Sequence, residues 1–149
     1  MGRKRIEIFL ATADDTFALG KKLAALTGPN SILALSGDLG AGKTTFVKGL
    51  AAGLQIDDDI VSPTYVYLNL YDGRLPLFHF DLYRLSSKSD FEALGFSEYF
   101  SKEGICAIEW PERIELPASA ILIEFQYDPA GRRAFLAAED PNLLYCLAN

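Results

Sequence analysis

An α/β fold with a mixed central sheet, β-hairpins and flanking helices is what this sequence predicts, and three observations carry the prediction. Apolar runs of buried-strand type occur at residues 32–35 and 104–109. Stripes at helical spacing separate such runs, at Leu19, Leu23 and Leu26 and again at Phe46, Val47, Leu50, Ala51 and Leu54. Alternating segments around Asp72-Gly73 and around Asp128-Pro129-Ala130-Gly131 read as hairpins, which adds antiparallel pairs to the sheet.

Taken in order, residues 6–10 alternate weakly and read as a first strand. Thr12 and Asp15 fit a capping box for a helix that Gly28-Pro29-Asn30 stops. The strand at 32–35 leads through a glycine-rich octet into a helix over 45–54, ending near Gly53. Asp57-Asp58-Asp59 reads as a solvated acidic turn. After Ser62-Pro63-Thr64, residues 65–71 alternate strictly and predict a strand, with Asp72-Gly73 as a two-residue type I′ turn. The returning strand, 74–81, places His79 and Asp81 on one face, and Pro76 suggests that it is an edge or interrupted strand. Ser89 and Glu92 suggest a capping box for a short helix through Leu94, broken at Gly95. The run at 104–109 ends in Glu109, followed by Trp110-Pro111. Runs at 120–127 and 132–138 form the second hairpin, and Pro141 opens a last helix through Leu147. No repeat, low-complexity tract or linker divides the chain, so one domain spanning 1–149 is expected.

Composition narrows the function classes. No run of the 149 residues approaches bilayer-spanning length, and Met1-Gly2-Arg3-Lys4-Arg5 leads into a charged strand rather than an apolar leader, so a cytoplasmic protein with no membrane partner is expected. Fourteen Lys and Arg against twenty Asp and Glu leave a net charge of −6, with one compact basic cluster, at residues 3–5. Backbone binding of nucleic acid needs clustered cations, so independent nucleic-acid binding is not expected. Cys106 and Cys146 lack metal-ligand spacing and read as free, buried thiols.

The octet Gly37-Asp38-Leu39-Gly40-Ala41-Gly42-Lys43-Thr44 fits the phosphate-loop pattern G-x-x-x-x-G-K-[ST], and it sits between strand and helix as that motif requires. Its glycines let successive amides turn inward into an anion-binding nest. The bound phosphates would face a helix N-terminus, which favours anions. Lys43 reaches the outer phosphates, and the Thr44 hydroxyl is placed to ligate magnesium. The fold class thus sharpens to a single P-loop NTPase domain that takes a nucleoside triphosphate with Mg²⁺.

Such a loop needs a carboxylate at the end of a neighbouring strand for the metal and a group that orients the attacking nucleophile. Asp81 and Glu109 each end an apolar strand, and open α/β sheets gather ligands at strand carboxyl ends. Sequence does not rank the two, and each can instead be a helix cap or a surface acid. Thr64 stands where a switch-loop threonine senses the terminal phosphate, or is simply a turn residue after proline. His79 reads as a hydrogen-bonded structural residue rather than a base. Trp110 either packs in the core or presents a partner surface.

Together, Gly-Asp-Leu-Gly-Ala-Gly-Lys-Thr-Thr at 37–45, Ser-Pro-Thr-Tyr at 62–65, His-Phe-Asp-Leu-Tyr-Arg at 79–84 and Glu-Trp-Pro-Glu at 109–112 resemble the bacterial TsaE (YjeE) family over nearly the whole chain. The resemblance implies a P-loop ATPase, with ATP and Mg²⁺ as cofactors, that works with the TsaB and TsaD proteins to form threonylcarbamoyladenosine in tRNA, touching tRNA only through the complex. It gives the loop residues from Gly37 through Thr45, Lys43 above all, to phosphate binding, and Thr44, Asp81 and Glu109 to the metal, with Glu109 also orienting water. Thr64 matches the first switch segment, and Tyr83 and Arg84 the second. The family's Gly-Arg-Glu appears as Gly131-Arg132-Arg133: Arg132 then reaches the nucleotide, while the missing Glu leaves the third position without an assigned role. Residues around Ala13 would flank the adenine.

Two other readings use the same residues. A small-molecule kinase needs a cationic lid, for which Arg84 or Arg132-Arg133 supplies charge but no long arginine-bearing segment exists. A non-catalytic nucleotide switch of GTPase type lacks its Asn-Lys-x-Asp base-reading motif here.

Overall fold

The computed structural model describes residues 2–38 and 40–149. Seven strands form one mixed sheet: β1 (Lys4–Leu10), β2 (Ile32–Gly37), β3 (Leu68–Tyr71), β4 (Leu77–Asp81), β5 (Ile105–Glu109), β6 (Ile121–Asp128) and β7 (Gly131–Ala138), in the spatial order β1-β7-β6-β2-β5-β4-β3. The contacts of β2 with β5 and β6, and of β4 with β5, are parallel. The β1–β7, β6–β7 and β3–β4 pairs are antiparallel. Both β4 and β5 are buried at every position, their apolar residues covered by helices on both faces and His79, Asp81 and Glu109 buried among them.

Helices α1 (Ala13–Leu26) and α2 (Lys43–Gly53) cover one face, over Leu33, Leu35, Leu77, Ile105, Ala107, Ile121, Ile123 and Phe125. The short α3 (Lys88–Ala93) and a 3-10 turn (Phe96–Ser101) cover the other with Phe91, Phe96 and Tyr99, against Phe78, Phe80, Cys106 and Ile108. Strand alternation then sorts β4: Phe78 and Phe80 go to this aromatic layer, while His79 and Asp81 face the α2 side. The final helix, α4 (Pro141–Ala148), is capped by Asp140 and buries Leu143, Leu144 and Leu147.

The two helices of the first face cross closely because glycines meet there. A Cβ on Gly49 would run into the Phe17 carbonyl, and one on Gly20 into the Phe46 carbonyl. The obstacles are backbone and cannot rotate away. Gly49→Ala is therefore expected to destabilise the fold by about 3 kcal/mol, lowering the thermal midpoint by roughly 10 °C. Calorimetry of the two proteins checks it, and an unchanged midpoint would show that the helices can slide apart.

The expected capping box of α1 is present, with Thr12 and Asp15 bonding reciprocally. Elsewhere local reading misses. Residues 65–67 are a turn, not strand: the amides of Val66 and Tyr67 both donate to the Pro63 carbonyl, at 3.0 and 2.7 Å, and Tyr67 has φ 67°. Asp72-Gly73 does not close a two-residue hairpin, since pairing resumes only at Tyr71↔Leu77. The intervening loop is tethered instead to the end of α2, Arg74 N donating to Leu54 O at 2.6 Å. Strand β4 is interior rather than an edge, and Pro76 precedes it, its carbonyl accepting from Ile105 N. Its missing N–H is not needed there. Ser87, not Ser89, caps α3, accepting from Asp90 N, while Glu92 accepts from Ser97. Helix α2 begins at Lys43 rather than Thr45. The acidic turn at 57–59 is exposed, as expected. Cys106 is buried, which pushes its thiol up to about 12, but Cys146 is exposed because it lies on the outer side of α4.

Candidate functional site

The site lies where β2, β4 and β5 end together. Parallel pairing puts Leu35 of β2 beside Glu109 of β5, and Glu109 beside Asp81 of β4. Three facing strand ends, two of them acidic, thus open toward the start of α2. Between β2 and α2 the chain turns through Gly37 (φ 131°), Gly40 (φ 81°) and Gly42 (φ 118°), a left-handed backbone that only glycine adopts without strain. Asp38 is exposed and its carbonyl accepts from Ala41 N, folding the loop on itself, and Ala41 is buried beneath it. No side chain caps the first turn of α2, so its N–H groups keep their capacity to bind an anion. Leu39, part of the expected phosphate cradle, lies outside the described residues.

Lys43 is only 5% exposed, with its ammonium 2.9 Å from the Gly37 carbonyl oxygen and 4.6 Å from the centre of the Trp110 ring. Among the described residues no carboxylate pairs with it. A buried cation held by a carbonyl dipole and an aromatic face is under-compensated, and an incoming phosphate supplies the missing charge. Lys43, Thr44 and Thr45 line a cleft of about 130 Å³ together with Gly40, Gly42 and Glu109. Gly40 and residues 42–45 of the expected loop therefore share one cavity with one acid.

Asp81 is built into a different set of contacts. Its Oδ2 accepts from Thr64 Oγ1 at 2.9 Å and from Ser62 Oγ at 3.4 Å, and its Oδ1 accepts from Tyr83 N at 3.0 Å. Ser62 and Thr64 also bond each other at 2.6 Å. The two segments that flank Asp81 are linked again by the Arg84 guanidinium, 4.4 Å from the centre of the Tyr65 ring. Tyr83 in turn packs on Trp110, ring centres 4.9 Å apart. Glu109, on the neighbouring strand, is held by His79, whose Nε2 lies 2.7 Å from Oε2.

A second cleft, of about 150 Å³, runs from the loop to the chain's other end. Ala13, Thr12 and Thr16 of the first helix region line it with Gly40, Gly42, Thr45 and Arg132. Residues far apart in sequence meet there because β1 pairs with β7 in the register Leu10↔Arg132. The Arg132 guanidinium stacks 4.3 Å from the centre of the Tyr127 ring. Arg133 points elsewhere: it pairs with Glu7 at 2.6 Å and Asp128 at 2.7 Å. The Ala130 amide and then Arg133 hold the Asp128 carboxyl below its ordinary value. In this chain the third residue of the Gly-Arg-Arg segment staples the β6–β7 hairpin to β1.

Among the described residues no three His, Cys, Asp or Glu side chains cluster as a ready-made cage. Magnesium bound with a nucleotide needs only one or two protein ligands, the rest coming from phosphates and water. Sequence reasoning missed three members of the site. The sequence presents Ser62 only as turn punctuation and as part of the Ser-Pro-Thr-Tyr motif, gives Thr16 no role, and leaves open whether Trp110 packs in the core or presents a partner surface. It is half-buried in a left-handed conformation, φ 60°, that aims its ring over Lys43. Glutamate and proline on either side of Trp110 were the available signal. No helix among the described residues is long and apolar enough to cross a membrane.

Comparison with known proteins gives a consistent result. A family model described as threonylcarbamoyl adenosine biosynthesis protein TsaE matches residues 10–135. The chain is 43% identical over 129 residues to the tRNA threonylcarbamoyladenosine biosynthesis protein TsaE of Treponema pallidum, spanning 85% of this chain and 96% of that protein. Its counterpart in Bacillus subtilis is 45% identical over 113 residues, covering 75% of this chain and 70% of that protein. Among solved structures, the crystal structure of Bacillus subtilis YdiB aligns with a TM-score of 0.74 at 33% identity, over 99% of this chain and 97% of that one.

Proposed function

The chain belongs to the TsaE family, and from that premise we propose that it is a Mg²⁺-dependent ATPase acting as one domain in the cytoplasm. It serves as an accessory subunit in the formation of N6-threonylcarbamoyladenosine at the adenosine following the anticodon of tRNA. Its partners are the TsaB and TsaD proteins, and its net charge of −6 leaves tRNA to be held by them. The observation that carries the reading is the meeting of Lys43, Thr44 and Glu109 in one cleft, with Asp81 on the adjacent strand.

On this reading the loop amides and Lys43 bind the β- and γ-phosphates, Arg132 reaches the nucleotide, and the cleft at Ala13 receives the adenine. Thr44, Asp81 and Glu109 would hold the metal, which when bound would supply positive charge against the charge developing on the phosphates. Glu109 accepts a hydrogen bond from the attacking water. Thr64 shares its hydroxyl with Asp81, so the first switch segment senses the contents of the site through that bond. The kinase alternative is disfavoured by two of the arginines it would use: Arg84 is stacked on Tyr65 and Arg133 is paired with Glu7 and Asp128, so neither supplies a lid.

Reconstituted threonylcarbamoyl transfer with TsaB and TsaD, with and without this chain, tests the function. Repeated turnover of tRNA is expected only with the chain and ATP present. Equal product without it, or a phosphorylated metabolite in place of free phosphate, would reject the reading.

A further inference from the structure

His79, the one histidine of the chain, sits on interior strand β4 at 1% exposure, between Phe78 and Phe80. Its Nε2 meets Glu109 Oε2 at 2.7 Å, while its Nδ1 is buried without a hydrogen-bond partner among the described residues. An ionised carboxylate only accepts, so Nε2 is the protonated nitrogen and donates to Glu109. Nδ1, with or without its own proton, is left unpaired. Leaving such a buried polar atom unsatisfied is a cost that a leucine or phenylalanine at the same place would avoid. The imidazole does one thing there that an apolar side chain cannot, which is to hold the Glu109 carboxylate. That bond is also the single hydrogen bond to this carboxylate among the described residues.

Resting on the ATPase reading above, we propose that His79 is a positioning residue for ATP hydrolysis. By donating from Nε2 to Oε2 it selects one rotamer of Glu109 and leaves Oε1 for the cleft that Lys43 and Thr44 share with this acid. Glutamate has three side-chain torsions, and catalytic groups need placement to within about 0.5 Å. Neighbouring strand pairing sets only the backbone of Glu109. The bond from His79 sets the carboxylate.

The test compares wild type with His79→Leu, His79→Asn and His79→Gln, measuring kcat and KM by phosphate release from Mg-ATP and affinity by direct titration with a non-hydrolysable ATP analogue. Leucine removes the donor, asparagine ends short of the Nε2 position, and glutamine carries a donor close to it. We expect kcat to fall about 10- to 100-fold in the leucine and asparagine variants, with affinity unchanged and most of kcat recovered by glutamine. Full turnover in His79→Leu or His79→Asn overturns the proposal, as does an equal loss in all three variants. Should the leucine variant not fold, the asparagine and glutamine pair decides. A wild type that binds ATP yet releases no phosphate sinks the ATPase reading and this inference with it, whereas wild-type turnover indifferent to residue 79 sinks the inference alone.

Discussion

Glu109→Ala is expected to keep nucleotide affinity within about threefold and to lose about 10²- to 10⁴-fold in kcat, the range spanned by removal of a positioned proton acceptor. Binding survives because the phosphate cradle is made by the loop backbone and Lys43, which do not depend on Glu109. Turnover fails because the remaining nearby acid, Asp81, is already engaged by Thr64, Ser62 and the Tyr83 amide. Removing Glu109 also strips His79 of its partner, so a stability loss of about 1–3 kcal/mol should accompany it. Isothermal titration with a non-hydrolysable analogue and phosphate release with ATP separate the two effects. Normal turnover in the variant would remove Glu109 from the mechanism.

Lys43→Ala should do the reverse. The ammonium is buried with a carbonyl and an aromatic face as its described partners, so a phosphate is its first full counter-charge. A charge-assisted bond of that kind is worth about 1.5–3 kcal/mol, and its loss should weaken ATP binding by about 10- to 150-fold. The nucleotide-free protein, relieved of a buried cation that no carboxylate compensates, should be as stable as wild type or more so. Thermal melts with and without Mg-ATP read both consequences at once: the ATP-induced rise in midpoint should shrink while the midpoint without ATP holds or rises. A variant that melts lower without ATP and shifts normally with it would make Lys43 a structural residue.

Much of this architecture was legible because its signals are local. Thr12 and Asp15 lie three residues apart and cap α1 with no help from the rest of the fold. The octet is read through backbone freedom at Gly37, Gly40 and Gly42, and all three have positive φ. The runs at 32–35 and 105–108 are apolar throughout because β2 and β5 are covered on both faces. Failures cluster where another hydrogen bond, near or distant in sequence, takes the backbone groups that the local pattern assigns elsewhere. Residues 65–67 carry a strand pattern, yet the Pro63 carbonyl takes two of their amides. Asp72-Gly73 has the composition of a tight turn, yet Arg74 bonds to the end of α2 and opens the loop. Pro76 argues for an edge, but strand order depends on which segment packs beside which, and β4, starting just after Pro76, is paired on both sides, by β5 and by β3.

By itself the sequence determined the α/β class, the phosphate loop, the two acids at strand ends and the family resemblance, because each rests on residue type and short spacing. Tertiary structure decided how those parts divide the work. Only the parallel register of β4 and β5 brings Asp81 beside Glu109. The β1–β7 pairing carries Arg132 to Ala13, and the turn at 62–64 folds back to put Thr64 on Asp81. His79 and Asp81 share one face of β4 by alternation, which sequence could state, but the partner of His79 is on another strand. Hydrogen bonds between strands join residues with no fixed separation along the chain, so spacing cannot encode them.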